Sequence, residues 1–419
     1  LASMTDEVAH HVLRHNYDQT LALSLLQAEA VQDIEAQDRF MSDLEAKGRL
    51  DRALEGLPDV HGMAALAKDE RGLTRPELAV LLAYGKLDFF DDMIAGESPD
   101  DSYFLKTLEA YFPKPLRKFE DEMERHRLRR EIIATVIGNE IVNLCGPTFA
   151  ARLRAAAGCD TDALVTGFEA AREVLRFDEA WARVAALDGK APAAGQTALF
   201  RELTYLLRGQ TYWLARRAGR GGDEVQPLID AYRPAVDRLK VLVPGVLSPF
   251  EQKAAVRRAA AWIKAGAPKD VAHSVALMRP LTVAGTLTDL TASSSWPLDN
   301  VAHVYHRVGG VFGFDRLRAA AGLRAGGDAY ERLAVRRLIE DMLTEQAAVT
   351  GAVMAFAGKA QAGEGPDMAR AAVASWSAMR SGRVRAARRT LEEIEQAPGE
   401  WTFAKLTIAN AALRELSSG

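Results

Sequence analysis

Two histidine pairs stand at helical spacing, His11 with His15 and His303 with His306, and either could present two imidazoles to a metal ion from one helix face. Zinc centres take three or four ligands, and no Cys-x-x-Cys or His-Glu-x-x-His accompanies the pairs. Surface or packing histidines are therefore the plainer reading. The basic set Arg125, Arg127, Arg129 and Arg130 offers different chemistry. A guanidinium grips a carboxylate with two parallel hydrogen bonds, so Arg129 or Arg130 is a candidate to hold an effector amino acid or the acidic group of a neighbouring domain. The competing reading pairs these arginines within their own helix, with Glu120, Asp121, Glu122, Glu124 and Glu131. Further along, Ile132, Val136, Asn139 and Asn143 fall three or four residues apart, which places two amides on one stripe with apolar side chains. A buried amide needs hydrogen-bond partners. Arg129, Arg130, Asn139 and Asn143 are thus the candidate interdomain or effector contacts.

No catalytic constellation competes with them. Ser24, Ser42 and Ser293 to Ser295 lack a Gly-x-Ser-x-Gly elbow, and no cysteine-histidine pairing can be inferred. Gly219, Gly221 and Gly222 fail the dinucleotide fingerprint, because Glu224 stands where a third glycine is needed. Gly309, Gly310 and Gly313 lack a preceding buried strand, and helix termination is their expected role. The run Arg380, Arg383, Arg385, Arg388 and Arg389 is followed by Glu392, Glu393 and Glu395 without interleaved aromatics, so it reads as a solvated face and not a nucleic-acid site. Trp213, Trp262, Trp376 and Trp401 are expected to anchor packing. No catalytic residue, cofactor-binding residue or metal ligand is assigned.

The elements that must position these residues are helices. The chain has 419 residues, 48% hydrophobic and 26% charged with only 7% aromatic, and leans toward helix formers. A formal charge of -4 gives no global attraction to nucleic acid or anionic membrane. Cys145 and Cys159 are the only cysteines, which points to a reducing compartment and a cytoplasmic location. No signal peptide opens the sequence, and no apolar run reaches the roughly 18 residues of a membrane span. The start at Leu1, within an apparent helix approach, suggests a piece of something longer.

Helix grammar predicts a cap and acidic first turn at Thr5-Asp6-Glu7, and one long helix from about 18 to 47 stopped by Gly48. Thr74, Pro76 and Glu77 read as a capped start. Pro99-Asp-Asp101 starts a shorter helix that Pro113 stops, one helix spans about 116 to 145 before Gly146-Pro147, and another ends at Gly158. Further helices are expected near 161–176, 178–187, 196–218, 225–243, 249–265, 269–291, 298–308, 327–357, 367–397 and 400–416. The loops 188–195, 219–222 and 358–366 punctuate them. No repeat of fixed period is present. The expected fold is all-α, an irregular multi-helix bundle with two or more helical subdomains and no Rossmann domain. Expected regions are 1–72, 73–220 and 221–419.

Several segments carry a family resemblance: Leu73-Thr-Arg-Pro-Glu-Leu-Ala-Val-Leu-Leu-Ala-Tyr-Gly-Lys86, Tyr111-Phe-Pro113, His126-Arg-Leu-Arg-Arg-Glu-Ile-Ile-Ala-Thr135 with its Asn-rich continuation, and Val142-Asn-Leu-Cys-Gly-Pro-Thr-Phe149. Together they resemble the C-terminal region of the large bacterial NAD-dependent glutamate dehydrogenases. The opening Leu1 to Ala9, Asn16-Tyr17 and Leu21 to Leu25 resemble the same family just after its nucleotide-binding domain. The match is strong over about residues 1 to 220 and weak over the last hundred. The resemblance implies a parent enzyme that deaminates L-glutamate to 2-oxoglutarate and ammonia with NAD, its substrate lysines and dinucleotide fold lying upstream of this chain. It implies residues 1–72 following the catalytic part, and a fragment inactive alone that packs on its own chain's catalytic domain and supports homo-oligomerisation or regulation. The alternative is a free-standing helical scaffold or adaptor without catalysis.

Overall fold

The structure, a computed structural model, describes residues 2–221, 224–323, 329–358 and 363–417. Gly222, residues 327–328 of one expected helix and residues 359–362 of one expected loop lie outside the described residues. Among the described residues every regular element is helical and none is a strand. The chain divides into two compact units, residues 1–230 and 231–419.

The first unit opens with α1 (Ala2–Glu29), α2 (Ile34–Ala46), α3 (Val60–Lys68) and α4 (Arg75–Ala95). The expected single helix over 18–47 is therefore two, broken at residues 30–33. The break is set by contact and not by a breaker residue: a Cβ on Gly72 would lie 2.4 Å from Ala30 Cβ and 2.7 Å from its carbonyl carbon, so the chain entering α4 crosses directly over the corner. Arg52, 4% exposed, fastens the following loop to α2, giving Asp38 a bond at 2.7 Å, Glu45 one at 3.0 Å and Ser42 one at 2.8 Å. Glu77 accepts the Thr74 backbone N–H at 2.6 Å and so caps α4 as its sequence requires.

Two short 3-10 turns at 98–100 and 102–104 lead into α5 (Leu105–Tyr111), and α6 (Glu120–Glu124), α7 (Arg129–Cys145) and α8 (Phe149–Ala157) follow. The expected helix over 116–145 is interrupted, because the Leu128 N–H bonds to His126 Nδ1 at 3.1 Å instead of continuing a helical ladder. Gly146, at φ 87°, ends α7, and Pro147 packs so closely on α4 that a Cβ on Gly85 would lie 2.6 Å from the proline Cβ. Two of the resemblance segments thus meet at a glycine. Gly158, in the left-handed conformation, ends α8 as expected.

The unit is completed by α9 (Thr161–Leu175), α10 (Phe177–Ala185) and α11 (Ala193–Gly221). Helix α9 is buried along most of its length, from Ala163, Leu164 and Val165 to Val174 and Leu175, and lies against α4, α8, α10 and α11. It meets α11 through small residues: a Cβ on Gly167 would stand 2.5 Å from the Ala215 nitrogen. Trp181 stacks between Phe177 and Phe200, with ring centroids 5.4 and 4.3 Å away.

The chain passes to the second unit within α12 (Val225–Val246), and this unit contains α13 (Pro249–Lys264), α14 (Lys269–Ala276), α15 (Ala284–Ala292), α16 (Leu298–Phe312), α17 (Phe314–Leu323), α18 (Ala329–Ala357), α19 (Gly365–Met379), α20 (Ser381–Gln396) and α21 (Phe403–Arg414). The expected helix over 269–291 is broken by a 3-10 turn, Arg279–Val283, that carries Pro280. The expected helix over 367–397 is two, separated at Arg380, and α17 adds a helix after the 298–308 run. Helix α16 is central, packed on α15, α17, α18 and α19, with Trp376 buried beside Phe312. Trp213, Trp262 and Trp401 are only half-buried, so the anchoring role falls to Trp376 and Trp181. Gly313 ends α16 as expected, but Gly309 and Gly310 lie inside it. There they admit close neighbours, Gln346 Nε2 at 2.8 Å and Ser248 Cβ at 2.9 Å from where a Cβ would stand.

Candidate functional site

The four candidate contact residues all lie on α7, and two different environments hold them. At its N-terminus, Arg129 Nη2 bonds Asp100 Oδ1 at 2.6 Å, and Arg130 also pairs with Asp100. Arg130 Nη2 further donates to the Ile94 and Gly96 carbonyls, both at 2.9 Å. These carbonyls are left open where α4 ends, and a guanidinium there also suits the negative end of the helix dipole. The same connection is held from the other side by Asp162 of α9, which accepts from the Glu97 and Ser98 nitrogens and lies 2.6 Å from where a Cβ on Gly96 would be. The within-helix pairing expected for Arg129 and Arg130 is replaced by a bond across elements, since the helix starts only at Arg129. Arg125 instead donates its Nε to the Asp121 carbonyl at 3.1 Å.

Asn139 and Asn143 sit further along α7 with Ile132 and Val136, and all four are half-buried. The fully buried face is a different one, formed by Ile133, Ile137, Ile141, Val142 and Cys145. Asn143 Oδ1 is enclosed without a hydrogen-bond partner. Helix α7 is covered on several sides, by α1, α4, α5, α8 and α11, which is why a helix this apolar is stable in the unit. No single helix among the described residues is long and apolar enough to cross a membrane, and α7 with α8 passes that test only as a pair bent by 87°.

Beside Asn139 and Asn143, Glu140 belongs to a charge cluster that the sequence reading missed. Arg172 of α9 donates through Nη1 to Glu140 Oε2 at 2.5 Å and to Glu169 Oε1 at 3.2 Å. Its other edge forks onto Asp178 of α10, Nε to Oδ1 at 3.3 Å and Nη2 to Oδ2 at 3.0 Å. Lys106 of α5 lies 3.7 Å from Glu173. Glu169 is buried, and loss of solvent raises its pKa to about 7, helped by Glu140 and opposed by Arg172. The signal was present in the sequence: Glu169 is a lone carboxylate within the apolar run Ala163 to Ala171, with an arginine three residues on.

In the second unit, the two histidines of the later pair part company. His306 is 1% exposed and shares its Nδ1 with Glu251, 2.9 Å from Oε2, while His303 is half-buried near Asp299. Ser248 caps α13 reciprocally with Glu251 and also bonds Asp315. Burial pushes the Asp315 carboxyl upward, against the Ser248 bond that lowers it. His306 Nε2 and Tyr305 Oη are enclosed without partners. Among the described residues no group of three or more His, Cys, Asp or Glu side chains converges as a metal set. Cys145 and Cys159 are both unpaired, and burial pushes the Cys145 thiol up to about 12.

The described residues form an all-α, multi-helix fold in which Gly85 of α4 lies against Pro147, just beyond the end of α7. Residues 70–416 match the family model described as the C-terminal region of glutamate dehydrogenase, and the chain belongs to that family. It is 31% identical over 417 residues to the NAD-specific glutamate dehydrogenase of Halomonas elongata, covering 99% of this chain and 25% of that protein. It is 32% identical over 419 residues to that of Pseudomonas aeruginosa and 29% over 430 to that of Mycobacterium tuberculosis, in each case covering 100% of this chain and 25% of the relative. The chain thus spans about a quarter of the length of the curated relatives it matches.

Proposed function

We propose that this chain is the C-terminal helical region of an NAD-dependent glutamate dehydrogenase of the cytoplasm, packed on the catalytic part of its own chain and supporting homo-oligomer assembly or the control of activity. The parent reaction is oxidative deamination of L-glutamate to 2-oxoglutarate and ammonia, with hydride passing to NAD. In this reading NAD binding and the hydride step belong to the rest of the parent enzyme, upstream of this region. Arg129, Arg130, Asn139 and Asn143 remain the proposed contact set, α7 offering half-buried amides and guanidinium groups to a neighbour.

One observation carries the packing role. From Met4 to Leu21 no residue of α1 is buried, and Val8, Val12 and Leu13 are 49%, 53% and 69% exposed. Within these five largely solvated turns, Val8, Val12 and Leu13 form an exposed apolar patch, the part expected to receive a partner. One edge of this half-helix is already docked, since Glu7 accepts the Lys114 N–H at 3.1 Å. The opposite edge, with Val8 and Val12, is free to meet the catalytic part.

The test is a full-length parent enzyme carrying Val12→Glu and Leu13→Glu, its mass measured by light scattering and its glutamate-dependent NADH production assayed. Loss of assembly, of activity or of both supports the reading. An enzyme unchanged in mass, turnover and glutamate response would overturn it and leave the free-standing scaffold. The pure 419-residue chain is expected to reduce no NAD with glutamate, and measurable turnover would overturn that assignment.

A further inference from the structure

Helix α4 is apolar on two sides. Leu78, Leu81, Leu82, Phe89 and Met93 are buried, and α1, α7 and α9 lie against the helix. The outer side repeats the pattern. Val80, Ala83, Tyr84 and Leu87 recur at the three- and four-residue spacing of one helix face, none of them is buried, and Leu87 is 61% exposed. From Leu78 to Gly85 no residue is charged. A helix apolar all round belongs to the inside of an assembly.

A loop enlarges this uncovered side. Tyr84 donates its hydroxyl to Glu55 at 2.7 Å, which fixes the loop before α3 against α4. The loop is rigid in its own right: Arg52 ties it to α2, the Leu54 N–H bonds Asp51 Oδ1 at 3.1 Å, the Leu57 N–H bonds the Arg52 carbonyl at 2.8 Å, and Leu50 and Leu57 are buried. At its tip Leu54 is 82% exposed, next in the chain to the glutamate that Tyr84 holds. Charge borders the patch, where Arg49 bridges Asp88 and Asp91, both at 2.9 Å, and Asp91 stands one turn beyond Leu87. An apolar centre on rigid elements inside a charged rim is how protein interfaces are made.

We propose that Leu54 and the outer face of α4 form a second docking surface for the catalytic part of the parent chain. This site presupposes the reading that the region packs on the rest of its own enzyme, and adds where a further contact falls. The matched stretch is 25% of each relative, so about three quarters of the parent's length lies outside it. A stable interface takes about 20–30 residues a side, and the exposed apolar patch of α1 supplies three. The partner surface that fits is an apolar recess for the Leu54 tip, uncharged where it meets Leu87 and Tyr84 and charged where it meets Arg49 and Asp91. Because the loop is already fixed, docking orders little that was mobile.

Hydroxyl-radical footprinting of the full-length parent and of the 419-residue chain, read by mass spectrometry at single side chains, tests the site. Labelling of Leu54 and Leu87 is expected to be at least about fivefold slower in the parent, since an interface core closes both side chains to water. A photo-crosslinking phenylalanine derivative at position 54 of the parent should capture peptides from upstream of this region. Equal labelling of Leu54 and Leu87 in the two proteins, with Val8, Val12 and Leu13 protected, would overturn this site and leave the proposed function standing. Equal labelling of all five would overturn both. Protection of Leu54 with capture of peptides from within residues 1–419 would make the occupant a second copy of this region and overturn the assignment to the catalytic part.

Discussion

Replacement of Gly167 by alanine tests how α9 and α11 are joined. A Cβ there would lie 2.5 Å from the Ala215 nitrogen, 2.8 Å from its Cα and 2.9 Å from its Cβ. Two of these are main-chain atoms of a long helix, so no side chain can swing aside. Reaching ordinary contact at 3.4 Å requires the helices to part by roughly 0.9 Å, a gap that forfeits up to about half the dispersion energy of the lining atoms. Leu164, Phe168, Ala171, Leu214 and Ala218 line that seam and are almost fully buried. Overpacking of this kind costs about 1–3 kcal/mol, while the better helix propensity of alanine returns up to about 1 kcal/mol. The net expectation is a loss of about 1–2 kcal/mol. Gly209, in the same helix α11, provides the control, because a Cβ there meets nothing within 4 Å. Gly209→Ala should therefore stabilise, by about 0.5–1 kcal/mol. Urea unfolding followed by helical circular dichroism measures both, with attention to any change in slope that signals separate melting of the two units. Two shifts of the same sign, or a Gly167→Ala chain as stable as its parent, would refute the close-packed seam.

Three other expectations follow from buried groups. Glu169 has its folded pKa raised from 4.5 to about 7, so between those values the folded chain keeps a proton that the unfolded chain has lost. Stability should then fall as pH rises through that window, by at most about 3 kcal/mol in total, and level off above it; Glu169→Gln should flatten this slope in denaturant melts taken from pH 5 to 8. Arg52→Ala should cost about 1.5–3 kcal/mol, because its hydrogen bonds to Asp38 and Glu45 are lost while those carboxylates, 30% and 37% exposed, stay in contact with water, and limited proteolysis should then cut within residues 47–59; an uncut, equally stable variant would count against that role. Cys145 should resist a thiol reagent at pH 8 in the folded chain, with its thiol held near 12, while the half-buried Cys159 reacts first; two equivalents released at one fast rate would contradict the burial.

Helix ends that rest on local chemistry were legible in the sequence. Gly48, Gly146 and Gly158 all adopt positive φ just beyond a helix, and Glu77 caps Thr74. The breaks at residues 30–33 and 126–128 carry no such local mark. The corner at residues 30–33 is crossed by Gly72 from outside the run, and the turn at 126–128 is closed by a histidine ring. Both are decided by contacts that periodicity does not encode, since each flanking stretch keeps its helical pattern through the break. The charge sites divide in the same way. The guanidinium pair is visible in the sequence at Arg129 and Arg130, but its partner Asp100 comes from a separate 3-10 turn, and the helix start at Arg129 leaves the acidic residues 120–124 outside its helix.

That partner changes what a carboxylate from elsewhere must do to reach α7. Asp100 is 47% exposed and bonded to both guanidinium groups, so it occupies the place an effector amino acid or an acidic neighbour would take. It is also part of the same chain, and a tethered group competes at an effective concentration of order millimolar or more. A single free carboxylate therefore gains little by exchange, whereas a protein surface that brings further contacts, to the half-buried Asn139 and Asn143 on the same helix, does not depend on displacing Asp100 at all. Arg130 would keep its bonds to the Ile94 and Gly96 carbonyls through either event. Within the proposed contact set this balance favours an interdomain contact over a small-molecule one, with Arg129 and Arg130 keeping Asp100 while their exposed edges, with Asn139, meet the neighbour.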